Sequence, residues 1–347
     1  MPSWSERRRG PTREQPTPGE GSRIAGGVAN GLAAWPDLRR LGALLIGGAA
    51  TAVWPARWDP ILVESWFRLY RVVGGKTLDR IVSRMERHLP AAPGGETHRA
   101  LAEHHVRSRI EDMLGRVRGL RRSGYRPAIE IVGVEHLRSA LSRGRGAVVW
   151  GMRVGSATVM KQGFRDAGFP LVHLSRADHG SLTQTRVGLG VVAPLYRRGE
   201  DVLLRERVQI PLSDSLAYLR TVGERLAANQ CVSIFGEHPG RQTIEVAVLG
   251  LSRRFALGAP SLAWRGNAGL LTAYVLRLGS FRHRLVIEEE IPVDTALPRR
   301  RFAERAVHEF AARLERSIRR HPGDWQAWFY PEIVGDSEAE QRTARRG

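Results

Sequence analysis

From about residue 128 the chain alternates short apolar runs with amphipathic stretches, and this alternation restricts it to a layered α/β fold. The strand-like runs are "AIEIVGV", "GAVVWGM", "FPLVHLS", "VVAPLY", "CVSIFG", "EVAVLG", "LLTAYVLRL" and "HRLVIEEEIPV". Between them lie helical runs such as "SDSLAYLRTVGERLAAN", for which Ser213 or Asp214 is the expected N-cap. "RRFAERAVHEFAARLERSIRR" places Phe302, Ala306, Phe310, Leu314 and Ile318 on one helical face. The expectation is a mixed or largely parallel central sheet flanked by helices.

Upstream the pattern changes. Residues 1–24 are rich in Pro, Gly, Arg and Glu and read as a disordered tail, as do residues 334–347. Leu41 to Ala56 is an uncharged apolar run flanked by Arg39, Arg40, Arg57, Trp54 and Trp58. Sixteen residues are slightly short for a perpendicular bilayer span, so a core helix, an interfacial helix and a short anchor all remain open. The flanking Trp and Arg favour membrane attachment. "PILVESWFRLYRVV" and "HRALAEHHVRSRIEDMLGRVRGL" are helical by spacing, joined by the breaker-rich "HLPAAPGGETH". Residues 25–125 thus read as a membrane-associated helical region and 126–333 as the α/β domain.

The chain carries 54 Lys and Arg against 35 Asp and Glu, a net charge of +19 that favours a polyanionic neighbour. Only Lys76 and Lys161 are lysines, and the arginines are scattered rather than gathered beside aromatics, which tempers that reading and argues against nucleic acid. The single cysteine, Cys231, excludes an internal disulfide and reads as a small core residue; no Cys/His cluster has zinc spacing.

Ligands of open α/β sheets bind beyond the carboxyl ends of strands. Three such ends carry polar groups. "WGMRVGSAT" presents Arg153, Ser156 and Thr158; "HLSRADHG" presents Arg176, Asp178 and His179, with His173 reading as structural; "IFGEHPGRQ" presents Glu237, His238 and Arg241. Glu237, His238 and Arg241 together would set an acid, an imidazole and a guanidinium at one rim, although a solvated surface turn accounts for them equally well.

Taken in order, these blocks resemble the lauroyl/myristoyl acyltransferases of lipid A biosynthesis and the related phosphatidylinositol mannoside acyltransferases, within the lysophospholipid acyltransferase superfamily. The resemblance covers roughly residues 35–333. It runs from the N-terminal apolar segment through "IEIVGVEHLRSALSRGRGAVVWG", "HLSRAD" and "IFGEHPGRQTIEVAVLGLSRRFALGAPSLAWRGNAGLL" to "RLERSIRRHPGDWQAWFYP". It implies an acyltransferase-type sandwich at the cytoplasmic face of a bacterial inner membrane. The implied reaction moves a fatty acyl group from an acyl carrier protein or coenzyme A thioester to a lipid or glycolipid hydroxyl. Thioester and membrane lipid are then the partners, with no further cofactor and no metal.

The family signature is a His followed, five positions on, by Asp or Glu, the pair acting as general base and its orienting carboxylate. With Gly155 as the fixed point, Arg153 falls in the His slot and Thr158 in the carboxylate slot. Arginine stays protonated and cannot act as a base. Three explanations follow. Another base serves, with His238 and Glu237 as the candidate base and acid. Or the site binds an acyl thioester or anionic lipid without turnover, Arg153 acting as a clamp with Ser156, Arg176 and Arg241 as further binding residues. Or the local alignment differs, although no His precedes a carboxylate by five positions in this turn, and His179 stands at the wrong spacing from Asp178 or Glu200. The alternative function is accordingly a catalytically inactive homologue that binds lipid or a protein partner.

Overall fold

A computed structural model of the chain describes residues 32, 34–119, 127–176, 179, 185–211, 216–237, 240 and 242–330. The tails expected at 1–24 and 334–347, and the candidates His238, Arg241, Asp178, Ser213 and Asp214, lie outside the described residues.

Four helices come first: α1 Trp35–Val53, α2 Asp59–Val73, α3 Gly75–His88 and α4 His98–Gly119. Pro55 follows α1 and Pro60 opens α2, where a missing N–H costs nothing. The buried faces of α2, α3 and α4 supply Phe67, Leu78, Ile81, Met85 and Val106 to the core cluster that also holds β-strand side chains and Trp328. Arg118 of α4 reaches back to the buried Asp59 at 2.5 Å and to the Trp54 carbonyl at 2.8 Å, closing the α1–α2 junction. No helix among the described residues is long and apolar enough to cross a membrane.

A seven-stranded sheet follows, in the order β1-β9-β8-β2-β5-β3-β4. Its strands are β1 Ala128–Val132, β2 Ala147–Gly151, β3 Val172–Arg176, β4 Glu206–Ile210, β5 Cys231–Phe235, β8 Gly269–Gly279 and β9 Arg282–Ile287. The five from β8 to β4 run parallel; β9 reverses against β8, and β1 runs parallel to β9. Helices α5 Val134–Ser142, α6 Ala157–Asp166, α7 Ala193–Asp201, α8 Ala217–Ala227, α9 Gly258–Gly266 and α10 Arg299–Arg320 flank it. All of β2 is buried, as a central parallel strand requires. Its alternate residues serve two cores: Val148 and Trp150 join α8, α9 and α10, while Ala147 and Val149 join α5 and α6. The predicted α10 face, Phe302 through Ile318, is buried in the first of these.

Two expectations are corrected. "VVAPLY" is not a strand: a π-helical turn, Gly188–Val192, runs into α7 with Pro194 in its first turn. Proline cannot donate to a ladder but fits a helix start. Two strands were not expected: β4, paired only to β3 at the sheet edge, and β7 Leu251–Ala256, which closes a separate hairpin with β6 Thr243–Val248. Both are rich in charge: Arg254 is exposed, whereas the side chains of Arg207 and Arg253 are buried, facing Glu200 and Glu237. The run expected to continue to Val293 leaves the strand conformation after Ile287.

Candidate functional site

The carboxyl ends of β2, β5 and β3 lie side by side. The chain leaves β5 for β8, beyond β2, but leaves β3 for β4 on the opposite side, so the connections diverge between β5 and β3 as they do at ligand crevices of α/β sheets.

The β2 turn is fixed from below. Ser156 caps α6, its Oγ accepting from the Val159 N–H at 3.3 Å. The same Oγ donates to Asp112 on α4. The segment after α10 locks the turn from the other side: Gly155 N–H donates to the Asp324 carbonyl at 2.7 Å, and Gln326 N–H to the Arg153 carbonyl at 2.9 Å. Val154 bridges to Trp325, and the Gln326 side chain donates to the Gly155 carbonyl. Gly155 sits at φ +69°, and a Cβ there would lie 2.0 Å from the Val275 carbonyl oxygen. Gly155→Ala is therefore expected to cost more than about 3 kcal/mol, combining left-handed strain with backbone displacement. A urea midpoint unchanged from wild type would refute that packing. Arg153 is half-buried, its guanidinium 5.5 Å from the Tyr330 ring centroid. Thr158 is half-buried too, and its Oγ1 has no hydrogen-bond partner.

Glu237 follows β5 directly but does not stand at an open rim as expected. It is 7% exposed, one oxygen accepting from Trp325 Nε1 at 3.3 Å and the other lying 3.9 Å from Arg253 Nη2. Arg176 ends β3, half-buried. Glu237, Trp325 and Arg253 of β7 thus meet beyond β5, and the Arg153 backbone is held by the adjoining Gln326.

The largest polar assembly among the described residues is one that spacing alone does not reveal. Glu200, 1% exposed on α7, accepts from Lys161 Nζ at 2.6 Å, Arg116 Nη1 at 2.7 Å, Arg207 Nη2 at 3.1 Å and His179 Nε2 at 3.1 Å. Arg116 also binds Asp112 at 3.1 Å, so one chain of contacts links His179 through Glu200, Arg116 and Asp112 to the Ser156 cap. Burial alone would raise the Glu200 carboxyl; Lys161, His179 and Arg116 overcome it and hold the group well below the usual carboxylate range. Burial lowers the His179 pKa, Glu200 opposes this, and Lys161 and Arg207 add to the lowering. The ring is therefore neutral at pH 7, with its proton on Nε2 facing the carboxylate, which makes Nδ1 the basic atom. Its side chain is 28% exposed. Arg207, a partner of Glu200, also lines an open depression of about 580 Å³ together with Pro194, Arg197, Arg198, Asp201 and Gln209.

Sequence reasoning set His179 and Glu200 aside because 21 residues separate them. Among the described residues, two other histidines meet carboxylates at 3.1 Å, His104 with Asp324 and His283 with Glu111. Of the three pairs, only His179 with Glu200 follows the carboxyl end of a parallel strand. His173 is structural as expected: buried, its Nδ1 2.9 Å from Ser233 Oγ, and held well below its ordinary pKa by burial. Burial pushes the Cys231 thiol up to about 12, which removes it as a nucleophile at neutral pH. No cluster able to hold a metal ion occurs among the described residues.

No protein-family model matches the chain, and no curated protein matches it.

Proposed function

We propose that this chain is an acyltransferase-type protein of a membrane surface, moving a fatty acyl group from a carrier-protein or coenzyme A thioester to a lipid or glycolipid hydroxyl. The observation that carries the reading is the His179–Glu200 hydrogen bond beyond the carboxyl ends of the parallel strands. His179 Nδ1 takes the hydroxyl proton as that oxygen bonds to the thioester carbon. The C–S bond breaks, and the imidazolium returns the proton to the departing thiolate. Glu200 holds Nε2–H and stabilises the charged ring. His179 is preferred to His238 because its carboxylate is in place, whereas the Glu237 carboxylate is committed to Trp325 and Arg253. The arginine-lined depression offers the phosphates of coenzyme A, or an acidic carrier protein, a complementary landing surface.

Support for the membrane comes from α1 and α2. Trp35, Leu45 and Ile46 on α1 and Leu69, Val72 and Val73 on α2 are exposed, each 62% or more, and Arg57, Arg68 and Arg71 stand exposed among them. Apolar side chains interleaved with arginine suit an interface rather than a bilayer span. Anionic headgroups on the cytoplasmic face of a bacterial inner membrane would attract them. The full chain is expected to sediment with vesicles containing anionic phospholipid, and the double variant Ile46→Asp, Val72→Asp to bind at least tenfold more weakly. Equal binding by both proteins would remove this support.

A second reading, an inactive homologue that binds lipid without turnover, is favoured by Arg153 and Thr158 standing where the resemblance places the dyad. One assay separates the two. Full-length protein is given long-chain acyl-carrier-protein and acyl-coenzyme A thioesters with bacterial lipid vesicles, and labelled ester is followed. Ester formation supports transfer; saturable binding without ester from either donor overturns it.

A further inference from the structure

Arg207 of β4 stands between the open depression and the His179–Glu200 pair. Its Nε donates to Asp201 Oδ1 at 2.5 Å, its Nη1 to Ser175 Oγ on β3 at 2.9 Å, and its Nη2 to Glu200 Oε2 at 3.1 Å. Three donors share that one oxygen: Arg207 Nη2, Lys161 Nζ at 2.6 Å and His179 Nε2 at 3.1 Å. Arg116 Nη1 takes the other, Oε1. Any group that draws Arg207 away therefore leaves Oε2 more fully to the ammonium and the imidazole. A guanidinium carries five N–H groups, and three of those on Arg207 are engaged, so it has donors left for a ligand. The same side chain lines the depression with Arg197 and Arg198 of α7, Asp201 and Gln209. Three arginines against one aspartate give it a positive lining, and about 580 Å³ is the size of a small-molecule site. The remaining titratable neighbours of the His179 ring are Tyr196 of α7 and His173 of β3, with ring centroids at 5.6 and 6.4 Å.

We propose that Arg207 couples the depression to the base: a diphosphate group seated against Arg197, Arg198 and Arg207 makes His179 a stronger base. Two effects act with the same sign. The ligand's negative charge favours the protonated ring. A phosphate oxygen that pairs with Arg207 also weakens its hold on Glu200 Oε2, so the carboxylate supports the imidazolium better. With the depression empty His179 is a weak base: burial weakens it, Glu200 opposes this, and the Lys161 and Arg207 charges add to the weakening. Filling the depression removes part of that handicap at the moment a substrate is in place. A cation would meet three arginines, and a neutral ligand would leave the charge around the ring unchanged. The lining arginines come from two elements, α7 and β4, which favours two linked phosphates over a single one. The coupling names a regulation of the acyl-transfer site and rests on that reading for its purpose. The diphosphate is available from coenzyme A and from free diphosphate in solution.

The test uses the full chain at constant ionic strength, with inorganic pyrophosphate and coenzyme A as probes. Equilibrium binding is measured, and the His179 ring is titrated by NMR over the pH range in which the chain stays folded. Its signal is assigned by its loss in His179→Gln. Expected is saturable binding that Arg198→Gln and Arg207→Gln each weaken at least tenfold. A saturating probe should raise the His179 midpoint by about half a pH unit or more, and Arg207→Gln should abolish the shift. A shift with coenzyme A assigns the diphosphate to the thioester donor; a shift with pyrophosphate alone assigns it to a separate effector. Absence of saturable binding of both probes overturns the proposal, as does a His179 curve unmoved at saturation or a shift that survives in Arg207→Gln. Arg198 is exposed, so its substitution spares the fold; unchanged affinity in Arg198→Gln overturns the proposal even where the Arg207 variant fails to fold. None of these readouts needs ester formation. A shift in a chain that forms no ester keeps the coupling and removes acyl transfer, and ester formation without a shift does the reverse.

Discussion

Glu200→Ala is expected to lower the unfolding free energy by about 3–5 kcal/mol, the usual cost of breaking a buried ion pair from one side. The variant leaves Lys161, 0% exposed, without the carboxylate it is paired to and strips Arg116 and Arg207 of the same buried group. The cost comes from uncompensated cations rather than from lost packing, so it is recoverable. Lys161→Met in the Glu200→Ala background should restore part of the loss, and a double-mutant cycle in urea would register a coupling above about 1 kcal/mol. Additive single effects would mean that Lys161 and Glu200 do not interact as described.

Acid should unfold the protein in two stages. His105 is 1% exposed, its Nδ1 3.0 Å from the Gly323 carbonyl, and burial with nearby Arg109 brings its pKa down to about 3. Below the unfolded value of 6.5 the unfolded chain takes up a proton that the folded one refuses, so stability present above pH 6.5 is lost as pH falls towards 3. The loss from this residue approaches about 5 kcal/mol. His173 and His179 are depressed in the same sense and add to it. Glu200, a depressed carboxyl, contributes stability above about pH 4.5 and loses it only further down. Urea midpoints should therefore fall between pH 7 and pH 5, before carboxylates protonate, and fall less steeply in His105→Asn. Midpoints constant over that range would contradict the burial of neutral histidine.

The layered fold was legible because central parallel strands write themselves as unbroken apolar runs. β2 and β5 are buried from both sides and read plainly, and α10 declares its face through Phe302 to Ile318. β4 and β7 were hidden because Glu206 and Arg207, and Arg253 and Arg254, interrupt their apolar runs, and "VVAPLY" misled because its composition suits a strand until Pro194 is weighed. The strand ends carrying Arg153, Ser156 and Glu237 were found by position alone. That Glu237 would be buried by Trp325 was not visible, since its partner lies 88 residues away. The Glu200 assembly was out of reach for the same reason: Arg116, Lys161, His179 and Arg207 come from α4, α6, the β3 turn and β4. Only Lys161, one of two lysines and set inside a helix, gave a signal that sequence reading could have followed.

The central claim is that His179 works as a base rather than serving only as a fourth donor to a structural carboxylate. The most direct measurement pairs the rate of labelled ester formation with the urea midpoint in wild type and His179→Gln. A base contributes about 10²–10⁴-fold, so the variant should lose at least a hundredfold in rate while its midpoint stays near wild type. A variant that keeps its rate, or a wild-type chain that forms no ester from either thioester, would contradict the account.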